Sequence, residues 1–389
     1  MLALLCPGQG SQSPGMLTPW LDVDTVAEHL RWASAITGLD LVELGTTADD
    51  SAVRDTANAQ PLLVALALAT ARAITTEDAG PSVVAGHSVG EFAAAALAGV
   101  LTPEVALVLV RERGALMAAA SRRDPTGMSA VLGGDTADVL ATLERLGLTA
   151  ANVNGAGQIV AAGRMDALGR LAALPPEGAR VRSLSVAGAF HTSFMQPACA
   201  GLAERAAAAP YADPTRVIVS NADGAVVNDG RELLRRLVDQ VAAPVRWDLC
   251  METLQGLGVT AVIELPPAGT LTGLIRRTMP SVETLAIKSP DDLAAARALV
   301  ERHAEPATEI APAWRLAVAP VAGTFRPKTI DLGQSVPAGT TVGAIVSQSR
   351  ESDVAAVHGG VLVEWLAEDG DPVTPGQPIA LLHPEPTHA

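Results

Sequence analysis

Residues 82–94 read Ser-Val-Val-Ala-Gly-His-Ser-Val-Gly-Glu-Phe-Ala-Ala. The small and β-branched residues at 82–85 predict a buried strand, and Glu91-Phe92-Ala93-Ala94 opens a helix-forming run. Between them lies Gly86-His87-Ser88-Val89-Gly90, a G-x-S-x-G string. A strand that passes straight into a helix through two glycines holds the intervening serine on a sharp, exposed corner at the helix N-terminus. Such a string also arises by chance in a chain with 35 glycines, so it is the strand-turn-helix setting that makes Ser88 a candidate nucleophile.

The same alternation continues on both sides. Further strands are predicted at 2–6, 218–220 and 261–265, with helices at 60–74, 103–120 and 231–241 between them. Strands separated by helices of this length imply a largely parallel sheet covered on both faces. One segment, about 127–190, has its own rhythm: strand 128–132, helix 136–146, strands 150–153 and 158–162 joined at Asn154-Gly155, helix 166–174, strand 181–186. That β-α-β-β-α-β order is the ferredoxin-like arrangement, here inserted into the larger sheet. Residues 301–319 are rich in Glu, Pro and Ala and read as a linker. Residues 320–383 hold a 37-residue repeat: Gly323, Gly333, Val336 and Gly339 recur as Gly360, Gly370, Val373 and Gly376, while Val342 matches Ile379 and Ala344 matches Leu381. Each half reads strand, short strand, strand, so a small all-β domain with pseudo-twofold symmetry is expected, followed by a tail at 384–389.

Composition narrows the function. Of 389 residues 49% are apolar, enough for a large core, but only ten are aromatic, so Ala, Val and Leu must fill it. A net charge of −15 argues against nucleic acid or an anionic membrane as partner. Three scattered cysteines form no metal-ligand spacing and suggest a reduced, cytoplasmic chain. The apolar stretch 92–110 is broken by Thr102-Pro103-Glu104 and reads as two buried helices rather than a membrane span.

Ser88 needs a base. Of seven histidines, His303 falls in the linker, His358, His383 and His388 in the tail region, His87 on the strained turn itself, and His29 in an amphipathic helix at 25–32, where a surface role is expected. His191 remains, against the alternative of a core histidine satisfied by its neighbours. Pro7-Gly8-Gln9-Gly10-Ser11-Gln12 follows the first strand but lacks the third glycine and the acid of a dinucleotide loop. Its better reading is a backbone loop beside Ser88 that, with the Val89 N–H, faces a developing oxyanion. Arg113 lies in an apolar helix. Directed inward it would need an anion, for which its planar fork suits a carboxylate; the alternative is a solvated side chain paired with Glu112 or Glu104.

Taken together, PGQGSQ at 7–12, GHSVGE at 86–91, Arg113, GAFH at 188–191, SNADG at 220–224, PVRW at 244–247 and ELPPAGTLTGL at 264–274 resemble the malonyl-CoA:acyl carrier protein transacylase family over about residues 1–300. The resemblance implies an α/β-hydrolase-like large subdomain with a ferredoxin-like small one. It also implies roles: Ser88 is acylated by malonyl-CoA, His191 is its base, Arg113 grips the malonyl carboxylate, and Gln9 and Val89 N–H groups form the oxyanion hole. Gln240 would orient the histidine through its main-chain carbonyl, Asn154 would sit near the site, and Phe190 would crowd an α-methyl branch. The acceptor would be a phosphopantetheinylated acyl carrier protein of fatty-acid or polyketide type, met by the basic pairs Arg122-Arg123 and Arg276-Arg277. Pro266-Pro267-Ala268 departs from the family's usual Gly-Pro-Gly. The tail resembles a biotinyl/lipoyl-attachment domain, a flattened barrel, in which Ser349 takes the place of the cofactor-bearing lysine. No covalent cofactor and no metal are expected there, only a docking or structural module that could recruit other pathway subunits. A related transferase for another acyl-CoA or a malonate decarboxylase carrier, a serine esterase and a non-catalytic assembly subunit remain alternatives at this point.

Overall fold

The computed structural model describes residues 1–76, 80–186, 188–303, 315–347, 350–356 and 359–383. Two units divide the chain, Met1–Ala307 and Thr308–Ala389. Ten strands are described in the first: β1 (Leu2–Cys6), β2 (Val83–Gly86), β3 (Thr126–Gly133), β4 (Thr149–Val153), β5 (Gln158–Arg164), β6 (Ala179–Ser183), β7 (Val217–Val219), β8 (Val245–Arg246), β9 (Ala261–Glu264) and β10 (Glu283–Ala286).

The larger sheet has the order β10-β9-β1-β2-β7, and all of its pairings are parallel. Its central strand β1 is buried along its whole length, as parallel strands covered on both faces must be. Leu2, Leu4 and Cys6 enter one core with the helices Thr56–Ile74 and Pro103–Ser121, while Ala3 and Leu5 enter another with Trp247, Met251, Leu271 and Ile275. The sequence expectations for this sheet are met within one or two residues. The helix expected to reach 241 ends at Asp239 and tightens into a 3-10 turn, Gln240–Ala242.

The smaller sheet has the order β6-β3-β5-β4-β8 and carries the expected β-α-β-β-α-β sequence through the helices Thr136–Arg145 and Met165–Ala173. Val131, Ile159 and Ala161 of the sheet cluster with Val139, Leu143 and Leu171 of those helices. Strand alternation then turns Met128, Ala130, Leu132 and Val160 to the opposite face. β8, only two residues long, pairs in parallel with β4 and leads directly into the helix Trp247–Gly256 of the larger layer.

The 92–110 stretch is divided between two helices, Gly90–Leu97 and Pro103–Ser121, as its Thr102-Pro103-Glu104 break suggested. Among the described residues the helix long and apolar enough to span a bilayer is Thr56–Ile74, and 78% of its window is buried within the protein. Two expectations need correction. His29 is half-buried rather than on the surface, because the helix runs on from 32 to Thr37 and tucks its ring against Trp32, 4.8 Å between centroids. The first unit also passes 300: the helix Leu293–His303 completes it, and His303 meets Glu283 at 3.1 Å instead of lying in a linker.

Among the described residues the second unit is all β: β11 (Arg315–Val318), β12 (Gly323–Pro327), β13 (Ser335–Val336), β14 (Thr341–Ser347), β15 (Arg350–Ala355), β16 (Gly360–Trp365), β17 (Pro372–Val373) and β18 (Pro378–His383). β11 occupies the end of the segment expected to be linker. Two four-stranded sheets, β11-β18-β16-β13 and β15-β14-β12-β17, enclose Phe325, Val342, Ile345, Leu362 and Ile379. The repeat is visible in the bonds: Gly333 N–H donates to Leu362 O and Gly370 N–H to Phe325 O, and Gly339 to Ala356 O as Gly376 to Ala319 O. Each half lends its short strand to the other half's sheet, β13 to β16 and β17 to β12, so neither half is complete alone. Ser349, His358 and His388 lie outside the described residues.

Candidate active site

The turn between β2 and the helix Gly90–Leu97 presents Ser88. A Cβ on Gly90 would stand 2.2 Å from the carbonyl oxygen of Cys6, and one on Gly86 would stand 2.1 Å from the carbonyl carbon of Gly90. Only glycine fits either place, which is why the string brackets the serine. Ser88 itself has φ 53°, a left-handed conformation that costs a non-glycine residue about 1–3 kcal/mol. Asn221 holds it there: its Oδ1 accepts the Ser88 N–H at 2.8 Å, and its Nδ2 donates to Gly86 O at 2.7 Å.

Across the cleft, His191 (φ 61°) follows Phe190 where the chain leaves the inserted segment. Its Nε2 lies 2.8 Å from Ser88 Oγ, and its Nδ1 lies 2.7 Å from the main-chain oxygen of Gln240. A carbonyl oxygen can only accept, so Nδ1 carries the proton and Nε2 presents its lone pair to the serine. Burial, with the Arg113 charge adding to it, pushes the imidazole down to about 3. His87, beside the serine, points elsewhere as expected: its Nε2 meets Asn154 Oδ1 at 2.9 Å.

Arg113 is 1% exposed, so the solvated alternative with Glu112 or Glu104 is discarded. Its Nη1 donates to Gln60 Oε1 at 2.7 Å; its Nη2 donates to Gln240 Oε1 at 2.9 Å and reaches Ser88 Oγ at 3.3 Å. Among the described residues no carboxylate pairs with it directly, and burial lowers it to about 10. Glu91 is equally buried and is pushed up to about 8 by desolvation, against the pull of the Asn221 N–H and of Arg113.

Ser88 and His191, with Gln60, His87 and Asn154, border a cleft of about 540 Å³. One wall is the free face of the smaller sheet, with Met128, Leu132, Asn152 and Asn154; the other is Pro7–Ser11, His87, Ser88, Thr270 and Leu274. Gln9 and Phe190 both line it, and Gln9 is anchored by its side chain to Thr56 Oγ1 at 3.2 Å. The 7–12 loop thus lies beside Ser88 as its sequence suggested. Buried Glu264 accepts the N–H groups of Gly269, Leu271 and Thr272, fixing the start of the helix Thr270–Thr278 that follows Pro266-Pro267-Ala268. Arg122, Arg123, Arg276 and Arg277 are all exposed. Among the described residues no cluster could hold a metal.

Sequence reasoning missed Gln60, Glu91 and Asn221 as members of this site. Glu91 and Asn221 stood inside quoted blocks, and Gln60 is a polar residue directly before the run 61–69, which holds only Pro, Leu, Val and Ala. That contrast is the signal that could have found it.

A strained serine and a tautomer-fixed histidine on one cleft, with a buried guanidinium 3.3 Å from the serine oxygen, are the parts a serine-dependent group-transfer site needs. Residues 3–315 match the acyl transferase domain family. Malonyl CoA-acyl carrier protein transacylase of Mycobacterium tuberculosis is 53% identical over 296 residues, covering 75% of this chain and 98% of that protein. The crystal structure of MCAT from Mycobacterium tuberculosis superposes with TM-score 0.73 at 51% identity, covering 76% and 99% of the two chains. A malonyl-transacylase solved in complex with a type II PKS acyl-carrier protein gives TM-score 0.72 at 29% identity, covering 78% and 99%. The chain belongs to the acyl transferase family and, within it, to the malonyl CoA-acyl carrier protein transacylases.

Proposed function

We propose that this protein moves a malonyl group from malonyl-CoA, through an ester on Ser88, to the phosphopantetheine thiol of an acyl carrier protein. The observation that carries the reading is the surroundings of one oxygen: Ser88 Oγ has the His191 Nε2 at 2.8 Å on one side and the Arg113 guanidinium at 3.3 Å on the other. His191 takes the Ser88 proton as Oγ attacks the thioester carbonyl, and the oxyanion is met by the N–H groups of Gln9 and Val89. The C–S bond breaks, and the thiolate of CoA leaves with the proton from His191. The carrier thiol then repeats the sequence in reverse, which regenerates the serine.

Arg113 supplies the selection for malonyl. In the free site its charge helps depress His191, a poor setting for a base. A substrate carboxylate bound to the guanidinium offsets that charge and relieves its part of the depression, the larger part being due to burial. Phe190 narrows the space beside the acyl group, and Asn154 positions His87 behind the nucleophile. The two layers of the first unit are read as an α/β-hydrolase-like subdomain with a ferredoxin-like insertion. The carrier would dock at Arg122-Arg123 and Arg276-Arg277, since such carriers are acidic and this chain is acidic elsewhere. The second unit is read as a biotinyl/lipoyl-like fold that stays unmodified, Ser349 having no amine to acylate. Intact-mass measurement after mixing with malonyl-CoA tests the reading: a malonyl adduct forms and disappears on adding holo-carrier protein. Hydrolysis of the adduct with no transfer would overturn it.

A further inference from the structure

Glu91 lies three residues after the nucleophile, 1% exposed, in a site whose cation has no direct carboxylate partner among the described residues. Its Oε1 accepts the Asn221 N–H at 2.8 Å, and its Oε2 accepts an N–H of the Gln240 side chain. The same Gln240 amide also donates to Ser88 O, at 3.3 Å, and its Oε1 accepts from Arg113 Nη2 at 2.9 Å. The main-chain oxygen of Gln240 accepts from His191 Nδ1 at 2.7 Å. A side-chain amide has two ends, and here Glu91 Oε2, Ser88 O and Asn221 Oδ1 (3.3 Å) all draw the NH₂ end, with Glu91 making the closest of the three contacts, while Arg113 draws the oxygen. With Glu91 Oε2 accepting on one side, the NH₂ turns toward it and the oxygen toward Arg113. Reversal would set NH₂ against guanidinium and leave oxygen facing oxygen. The other charged group drawn to Glu91 is Arg236, which is itself bonded to Asp223 and Glu232.

We propose that Glu91 is a positioning residue for malonyl transfer: through the Gln240 amide it aims the Arg113 fork at the substrate carboxylate. The inference rests on the transacylase reading above. It assigns to the acid of the GHSVGE block a part in choosing the acyl group, where a plain structural role would be to bind the Asn221 N–H and hold the turn.

The test compares Glu91→Gln and Glu91→Ala with the parent protein, each acylated by malonyl-CoA and by acetyl-CoA. Glu91→Gln keeps the volume but places an amide where two donors point, so the Gln240 amide is left with only its two 3.3 Å acceptors to hold its orientation. Malonyl acylation should fall roughly 10- to 100-fold more than acetyl acylation in both variants, mainly through KM. In an Arg113→Ala background the Glu91 substitutions should leave the ratio unchanged, since the group being aimed is gone. Because the malonyl-to-acetyl ratio is internal to each preparation, a reduced folded fraction does not alter it. A parent-like ratio in Glu91→Gln, with both rates lowered alike, overturns the inference and leaves a structural acid. Absence of any malonyl adduct on the parent protein is a different result and strikes the functional reading instead.

Discussion

Replacing Arg113 with alanine separates recognition from chemistry. The guanidinium donates to Gln60 and Gln240 at 2.7 and 2.9 Å, and both acceptors are buried. Removing it strands two acceptors, each costing about 1–3 kcal/mol, while it relieves the protein of a desolvated cation. The two effects oppose, so a small change in melting temperature is expected. Selectivity should change more. A charge-assisted hydrogen bond to the malonyl carboxylate is worth about 1.5–3 kcal/mol, which is roughly a 10- to 150-fold loss for malonyl with little loss for acetyl. The rate of acyl-enzyme formation, read by intact mass with malonyl-CoA and acetyl-CoA separately, gives the ratio directly. Arg113→Lys should fall between, because an ammonium cannot reach both glutamines and a carboxylate in one plane. Equal losses for the two substrates would refute the argument and leave Arg113 as a structural cation.

Three further outcomes are expected. Ser88→Ala should give no acyl adduct by mass, and His191→Ala should slow acylation by about 10²–10⁴ while keeping the fold. His191 is depressed in the folded protein to about 3, so the unfolded chain binds a proton below its ordinary 6.5 that the native state refuses. Stability from this group is therefore complete above pH 6.5 and is lost as pH falls from there toward 3, at a limit of about 1.4 kcal/mol per pH unit, and His191→Gln should flatten that dependence in melting curves. A chain ending at residue 307 should still be acylated by malonyl-CoA, and the full chain isolated from its host should carry no biotin or lipoate mass increment.

The elbow and the sheet were legible because their signals are local. Leu2–Cys6 is an unbroken apolar strand, and Gly86 and Gly90 stand where any Cβ would strike the backbone. His191 could be reached only by elimination, since its bond to Ser88 spans 103 residues and leaves no spacing to read. Arg113 was ambiguous for a related reason: the outward face of the helix Pro103–Ser121 also carries apolar residues such as Val108 and Ala119, so no polar stripe declares which way the arginine points. The Glu91–Gln240 contact, 149 residues apart, was invisible to any window. In the second unit the repeat announced the strands, but the Pro-rich run hid β11, whose four residues gain their partner only from β18.

The position of β1 in the sheet has a consequence for synthesis. Leu4 pairs with Val84 on one side and with Ile263 on the other, 259 residues further along. At translation rates of about 5–20 residues per second, the ribosome needs roughly 13–50 s to deliver that second neighbour. During this interval the nascent chain carries a wholly apolar central strand with at least one edge open, next to helices that have already emerged. Such an edge invites pairing with another chain. Production of this protein should therefore be limited by chaperone supply during elongation more than by the stability of the finished fold.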